Sequence, residues 1–158
     1  MDSSNYFDIS NVIIYISCKE SLTMKKEIIK NRVDYWIESA KYDLKTAQAM
    51  LKEKRYLYVG FCCHLTCEKV LKAYYWSYKK TEPPFTHNLN MLISMTGLSE
   101  SITKVNIKFL DELMPLNIKA RYPDDKVRIS KFLNNSKAKS IYQRTTEFAE
   151  WIEKLLTR

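Results

Sequence analysis

Two glycines in 158 residues, Gly60 and Gly97, leave this chain almost without the residue that tight hairpin turns use most. Sheets built from hairpins are therefore disfavoured, and helices are expected to carry the fold. Apolar spacing agrees. Over residues 32–54, Val33, Trp36, Ile37, Ala40, Leu44, Ala47 and Leu51 recur every three or four positions. Asp34, Lys41, Lys45, Gln48 and Lys52 fall opposite, as on an amphipathic helix. A second helix is expected over residues 56–79. It is apolar around more of its circumference, which suits the central helix of a bundle. The stretch TEPPF, residues 81–85, ends it, because prolines lack the backbone donor and push the preceding residue out of the helical region.

Thr86, His87 and Asn88 supply capping side chains for a short helix over residues 89–95, closed by Gly97. Another helix fits residues 101–113, with Ile102, Val105, Phe109, Leu110 and Leu113 on its face. Between Pro115 and Pro123 the segment 114–126 is expected to be partly irregular, and VRISKFLNNSK, residues 127–137, reads as a basic linker without a period. A last helix spans residues 138–156, with Ile141, Thr145, Phe148, Ile152 and Leu155 on one stripe. The fold class is all-α: an up-and-down antiparallel bundle of four main helices plus a short one.

Residues 1–23 differ from the rest, with the β-prone NVIIYIS between polar ends. They read as a poorly ordered or loosely attached extension, and residues 24–158 as the domain; a docked edge strand is the rival reading. No apolar run reaches the roughly 18 to 20 residues of a bilayer span, and NVIIYIS lacks the flanks of a signal peptide. No membrane role and a cytoplasmic address are expected. Three of four cysteines fall within six positions, which fits reduced thiols better than a disulfide framework.

The stretch FCCHLTCEK, residues 61–69, raises the question of a metal. A tetrahedral zinc site wants four converging ligands, and beyond Cys63, His64 and Cys67 only Cys18 and His87 remain. Helical geometry instead puts Cys63, Cys67, Val70, Leu71 and Tyr74 on one core-facing arc, with His64 at its edge and Cys62 elsewhere. No metal and no cofactor are expected. Glu68 and Lys72, spaced i to i+4, make an ordinary helix ion pair, or a phosphate holder if turned inward.

The net charge of +8 and pI near 9.2 suit an anionic partner, nucleic acid among them. Lys25, Lys26, Lys30, Lys41, Lys45, Lys52, Lys54 and Arg55 give the first helix and its flanks a positive surface, though interleaved aromatics are sparse there. Phosphate binding calls on Lys69, Lys72, His87 and Arg121, with Tyr122 to stack on a base. Each also has a structural role open to it: His87 as a cap, Arg121 paired with Asp124, Asp125 or Glu68, Lys69 on a solvated face, and Tyr122 packed beside Pro123.

Four segments taken together, AKYDLKTAQAML, YVGFCCHLTCEKVLKAYYW, PPFTHNLNML and KARYPDD, resemble the higher eukaryote and prokaryote nucleotide-binding (HEPN) domain. The similarity covers residues 32–156. The resemblance implies an all-α bundle, a homodimer, and pairing with a minimal nucleotidyltransferase in a toxin and antitoxin module. Many relatives are metal-independent RNases that use an Arg followed, after four to six residues, by a His. This sequence departs from that pattern: eight residues separate Arg55 from His64, and Lys80, not Arg, stands ahead of His87. Lys lacks the planar fork that clamps a phosphate. The expectation is a non-catalytic protein binding a nucleotide or RNA phosphate. A ribonuclease acting through a displaced site, with His64 or His87 and Arg121, is the alternative, and a pure oligomerisation module is a third.

Overall fold

The structure, a computed structural model, describes residues 9–117, 127, 129 and 131–157. Within them every regular element is helical. Helix α1 runs Ile9–Lys52, α2 Tyr56–Lys79, α3 Leu89–Met95, α4 Lys104–Leu113 and α5 Asn135–Leu156. Short 3-10 turns occupy Leu98–Glu100 and Met114–Leu116.

Helix α2 has the bounds its sequence suggests and is the centre of the bundle, buried on several faces. Helices α1, α3, α4 and α5 all pack against it. Only residues 53–55 separate α1 from α2, so the two run antiparallel. The C-terminal ends of α2 and α5 both meet α1, where Ser77, Lys80, Leu156 and Thr157 face Ile29, Val33 and Ile37.

Capping follows local chemistry. Lys80 closes α2 in the left-handed region (φ 60), its N–H bonded to the Trp76 carbonyl. Asn88, Thr103 and Asn134 each accept a backbone N–H three residues on, opening α3, α4 and α5. Gly97 takes φ 70 just after α3. An added Cβ there would be strained.

Three elements depart from the sequence reading. Helix α1 begins at Ile9 rather than near Arg32 and carries through the β-prone stretch; Lys19, Ser21, Leu22, Thr23 and Met24 along it are exposed. The supposed linker is helical at Val127, Ile129, Lys131 and Phe132, and Ile129 and Leu133 join the core. Val105 is exposed, because the buried face of α4 is set by Phe109, Leu110 and Leu113.

Candidate functional site

A stripe of polar side chains lies inside the apolar core. His64, Glu68 and Lys72 succeed one another at i, i+4 and i+8 on α2, and all three are buried. Because α2 is surrounded, this stripe faces protein rather than water. Lys72 Nζ donates to Glu68 Oε1 at 2.7 Å. The same ammonium sits 5.2 Å from the centre of the Trp36 ring, which α1 lays across it. Taking both charges out of water is costly, and the short bond with the aromatic face offsets that cost.

His87 reaches the other carboxylate oxygen from the loop before α3. Its Nδ1 lies 2.9 Å from Glu68 Oε2. A carboxylate only accepts, so Nδ1 carries the proton and donates, and Nε2 is left as the ring's second polar atom. The His87 side chain is 39% exposed, so the ring is partly open to solvent. Pro83 is buried and Asn88 caps α3, which fixes the loop on both sides of His87. Phe85, 98% exposed, has its ring 5.9 Å from that of His87 in an edge arrangement.

His64 lies behind this group. Its Nδ1 is 3.9 Å from Glu68 Oε2, too far for a hydrogen bond, and neither ring nitrogen has a hydrogen-bond partner among the described residues. Burial pushes its pKa down to about 4. It is a fully buried neutral imidazole, not the edge-of-core residue that helical periodicity suggests.

Of the phosphate-binding residues expected from sequence, the structure brings Lys72 and His87 together on Glu68. Lys69 stands apart, paired with Asp43 of α1 at 2.6 Å. Arg121 and Tyr122 lie outside the described residues. Glu68, which joins Lys72 to His87, was legible in sequence only as half of a helix pair, and Trp36 and Phe85 only as apolar residues. The i, i+4, i+8 run of His, Glu and Lys on a mostly apolar helix was the available signal.

The cysteines take the core role. Cys63 and Cys67 are wholly buried, and Cys62, expected on a different face, is buried too. Burial raises the Cys62 thiol to about 11 and the Cys63 thiol to about 12, and lifts Cys67 well above its ordinary value. Such thiols are poor nucleophiles at neutral pH. Among the described residues no group of three His, Cys, Asp or Glu side chains is placed to hold a metal ion.

The described residues thus form an all-α bundle in which a buried carboxylate braces a half-exposed histidine. The HEPN domain profile matches residues 33–155, and the chain belongs to that family. The fold is similar to that in the crystal structure of TT1696 from Thermus thermophilus, at TM-score 0.67 and 18% identity, over 78% of this chain and 98% of that one. No curated protein matches the sequence. Family membership supports a nucleotide- or RNA-related role.

Proposed function

We propose that this HEPN protein binds a nucleotide or RNA phosphate without cleaving it, with His87 as the contact the fold orients for that purpose. The observation that carries this reading is the 2.9 Å contact from His87 Nδ1 to Glu68, which fixes the ring; in the imidazolium form, with both ring nitrogens protonated, Nε2–H donates to a phosphate oxygen. Lys72 and Lys69 act indirectly. The charge of Lys72 is matched by Glu68 and that of Lys69 by Asp43, so they hold the scaffold rather than the phosphate. Arg121 would supply a second, cationic donor to the phosphate, and Tyr122 a face for a base.

The lack of an Arg four to six residues ahead of His87 supports the non-catalytic reading. The same family resemblance supports a homodimer paired with a minimal nucleotidyltransferase in a toxin and antitoxin module; an adjacent gene for such a protein, and its co-purification with this chain, are the checks. Isothermal titration with ATP, GTP and a short single-stranded RNA tests the binding. We expect heat with at least one of them, reduced tenfold or more in affinity in His87→Ala. No heat with any of the three removes the reading.

One observation favours a second reading. A carboxylate that holds a histidine by one nitrogen is also how a general acid or base is positioned. A metal-independent ribonuclease would degrade total RNA in EDTA, and the His87→Ala/Arg121→Ala double variant would not. Intact RNA with both proteins, or equal loss with both, excludes catalysis at these residues.

A further inference from the structure

A cavity of about 590 Å³ lies where the middle of α1 meets the C-terminal ends of α2 and α5. Its size is that of a small-molecule site. None of its lining residues belongs to the Glu68 group. The floor is aliphatic, from Ile29, Val33 and Ile37 of α1 and Leu156 of α5. Lys26, Lys30 and Lys80 stand around it with the carboxylates Asp34 and Glu153.

The two carboxylates already have partners. Asp34 lies 3.9 Å from Lys30, and Glu153 lies 3.7 Å from Lys41. Hydrogen bonding to Glu38 and the charge of Glu153 raise the pKa of Lys41. Lys41 is shared with Glu38, so the lining as a whole, three lysines against two carboxylates, carries one positive charge in excess over an apolar floor. Neither Lys26 nor Lys80 is paired with a carboxylate among the described residues, and Lys80 is held at the rim by its bond to the Ser77 carbonyl. Among the described residues no aromatic ring lines the cavity, so a nucleobase has nothing to stack on there. Ser77 and Thr157 are the uncharged polar residues of the lining, too few to read a base edge. Aliphatic walls and a cationic mouth suit a chain of methylenes ending in an anion.

We infer that this cavity binds a small anionic amphiphile, an alkyl chain with a carboxylate or phosphate head, with the alkyl part on Ile29, Val33, Ile37 and Leu156 and the head between Lys26 and Lys80. The site is separate from the phosphate contact at His87, and binding there leaves the His87 reading untouched.

Isothermal titration of the full chain with dodecanoate, below its micelle concentration, tests the inference. The expected result is saturable binding at one per chain, unaffected by His87→Ala and weakened about tenfold in Lys26→Gln/Lys80→Gln. Ile29→Trp, which fills the cavity floor, is expected to abolish it, with circular dichroism confirming that each variant is folded. Absence of binding overturns the inference. So does equal affinity for dodecyltrimethylammonium, unchanged affinity in the double lysine variant, or competition by ATP for the same site. Co-sedimentation with phosphatidylglycerol vesicles in the absence of dodecanoate binding overturns it as well, because it would assign the lysines to a membrane surface.

Discussion

His64 is the residue whose protonation is most directly tied to folding. Burial lowers its pKa from 6.5 to about 4, against the pull of the Glu68 carboxylate. The unfolded chain therefore takes up a proton near pH 6.5 that the native chain refuses until about pH 4. Stability from this group is fully present above pH 6.5 and is lost as pH falls toward 4. Between about pH 7 and pH 5 the loss is about 2 kcal/mol. Urea unfolding across that range should show it in the native sequence and not in His64→Leu. Glu68 gives a second expectation at this scale. Glu68→Gln leaves Lys72 buried without its counter-charge and should cost about 3–5 kcal/mol. Glu68→Gln/Lys72→Met should recover much of that, and a double-mutant cycle by chemical denaturation measures how much. Sequence placed Glu68 beside Lys72 correctly, but spacing along one helix does not say whether the stripe faces water. That depends on Trp36 and His87, both distant from Glu68 in sequence, closing over it.

At the scale of elements, helices with several turns of apolar repeat were readable, because each turn adds an independent vote for the same face. Helices α2 and α3 have the expected bounds. The segment around Ile129 and Leu133 was not readable, since two apolar residues four apart make a single turn and carry no period. Val12, Ile13 and Ile14 are β-prone, and an edge strand was only the rival reading there; their helix propensity is weakly unfavourable and continuity with α1 prevails. The same short segment has a checkable role in packing. A Cβ on Gly60 would come within 2.9 Å of Leu116 and 3.3 Å of Leu133. Gly60→Val should therefore destabilise the protein by about 2 kcal/mol, as overpacking outweighs any gain in helix propensity. Thermal unfolding of that variant, alone and with Leu133→Ala to make room, measures the clash. The paired change should cost less than the sum of the two single ones.

For the molecule as a whole, the bundle and its family were legible from residues 32–156, while the start of α1 at Ile9 was not. The family match begins at residue 33, and the described side chains from Lys19 to Ile28 are exposed. A helix without packed neighbours gains little from its own hydrogen bonds. We therefore expect a chain starting at Met24 to unfold within about 2–4 °C of the full chain, the shift that about 1 kcal/mol produces at this size. Differential scanning calorimetry settles this, and a larger drop would tie residues 1–23 to the folding unit. No described helix is long and apolar enough to cross a membrane.

The three sealed thiols of α2 also provide a clock. Cys62, Cys63 and Cys67 are buried with pKa values far above neutrality, so an alkylating reagent meets a reactive thiolate there only when the central helix comes away from its neighbours. The rate at which those three positions are labelled, followed by mass spectrometry, then counts excursions out of the native state. A phosphate ligand at His87 should slow the count, because Glu68 couples that histidine to the same helix.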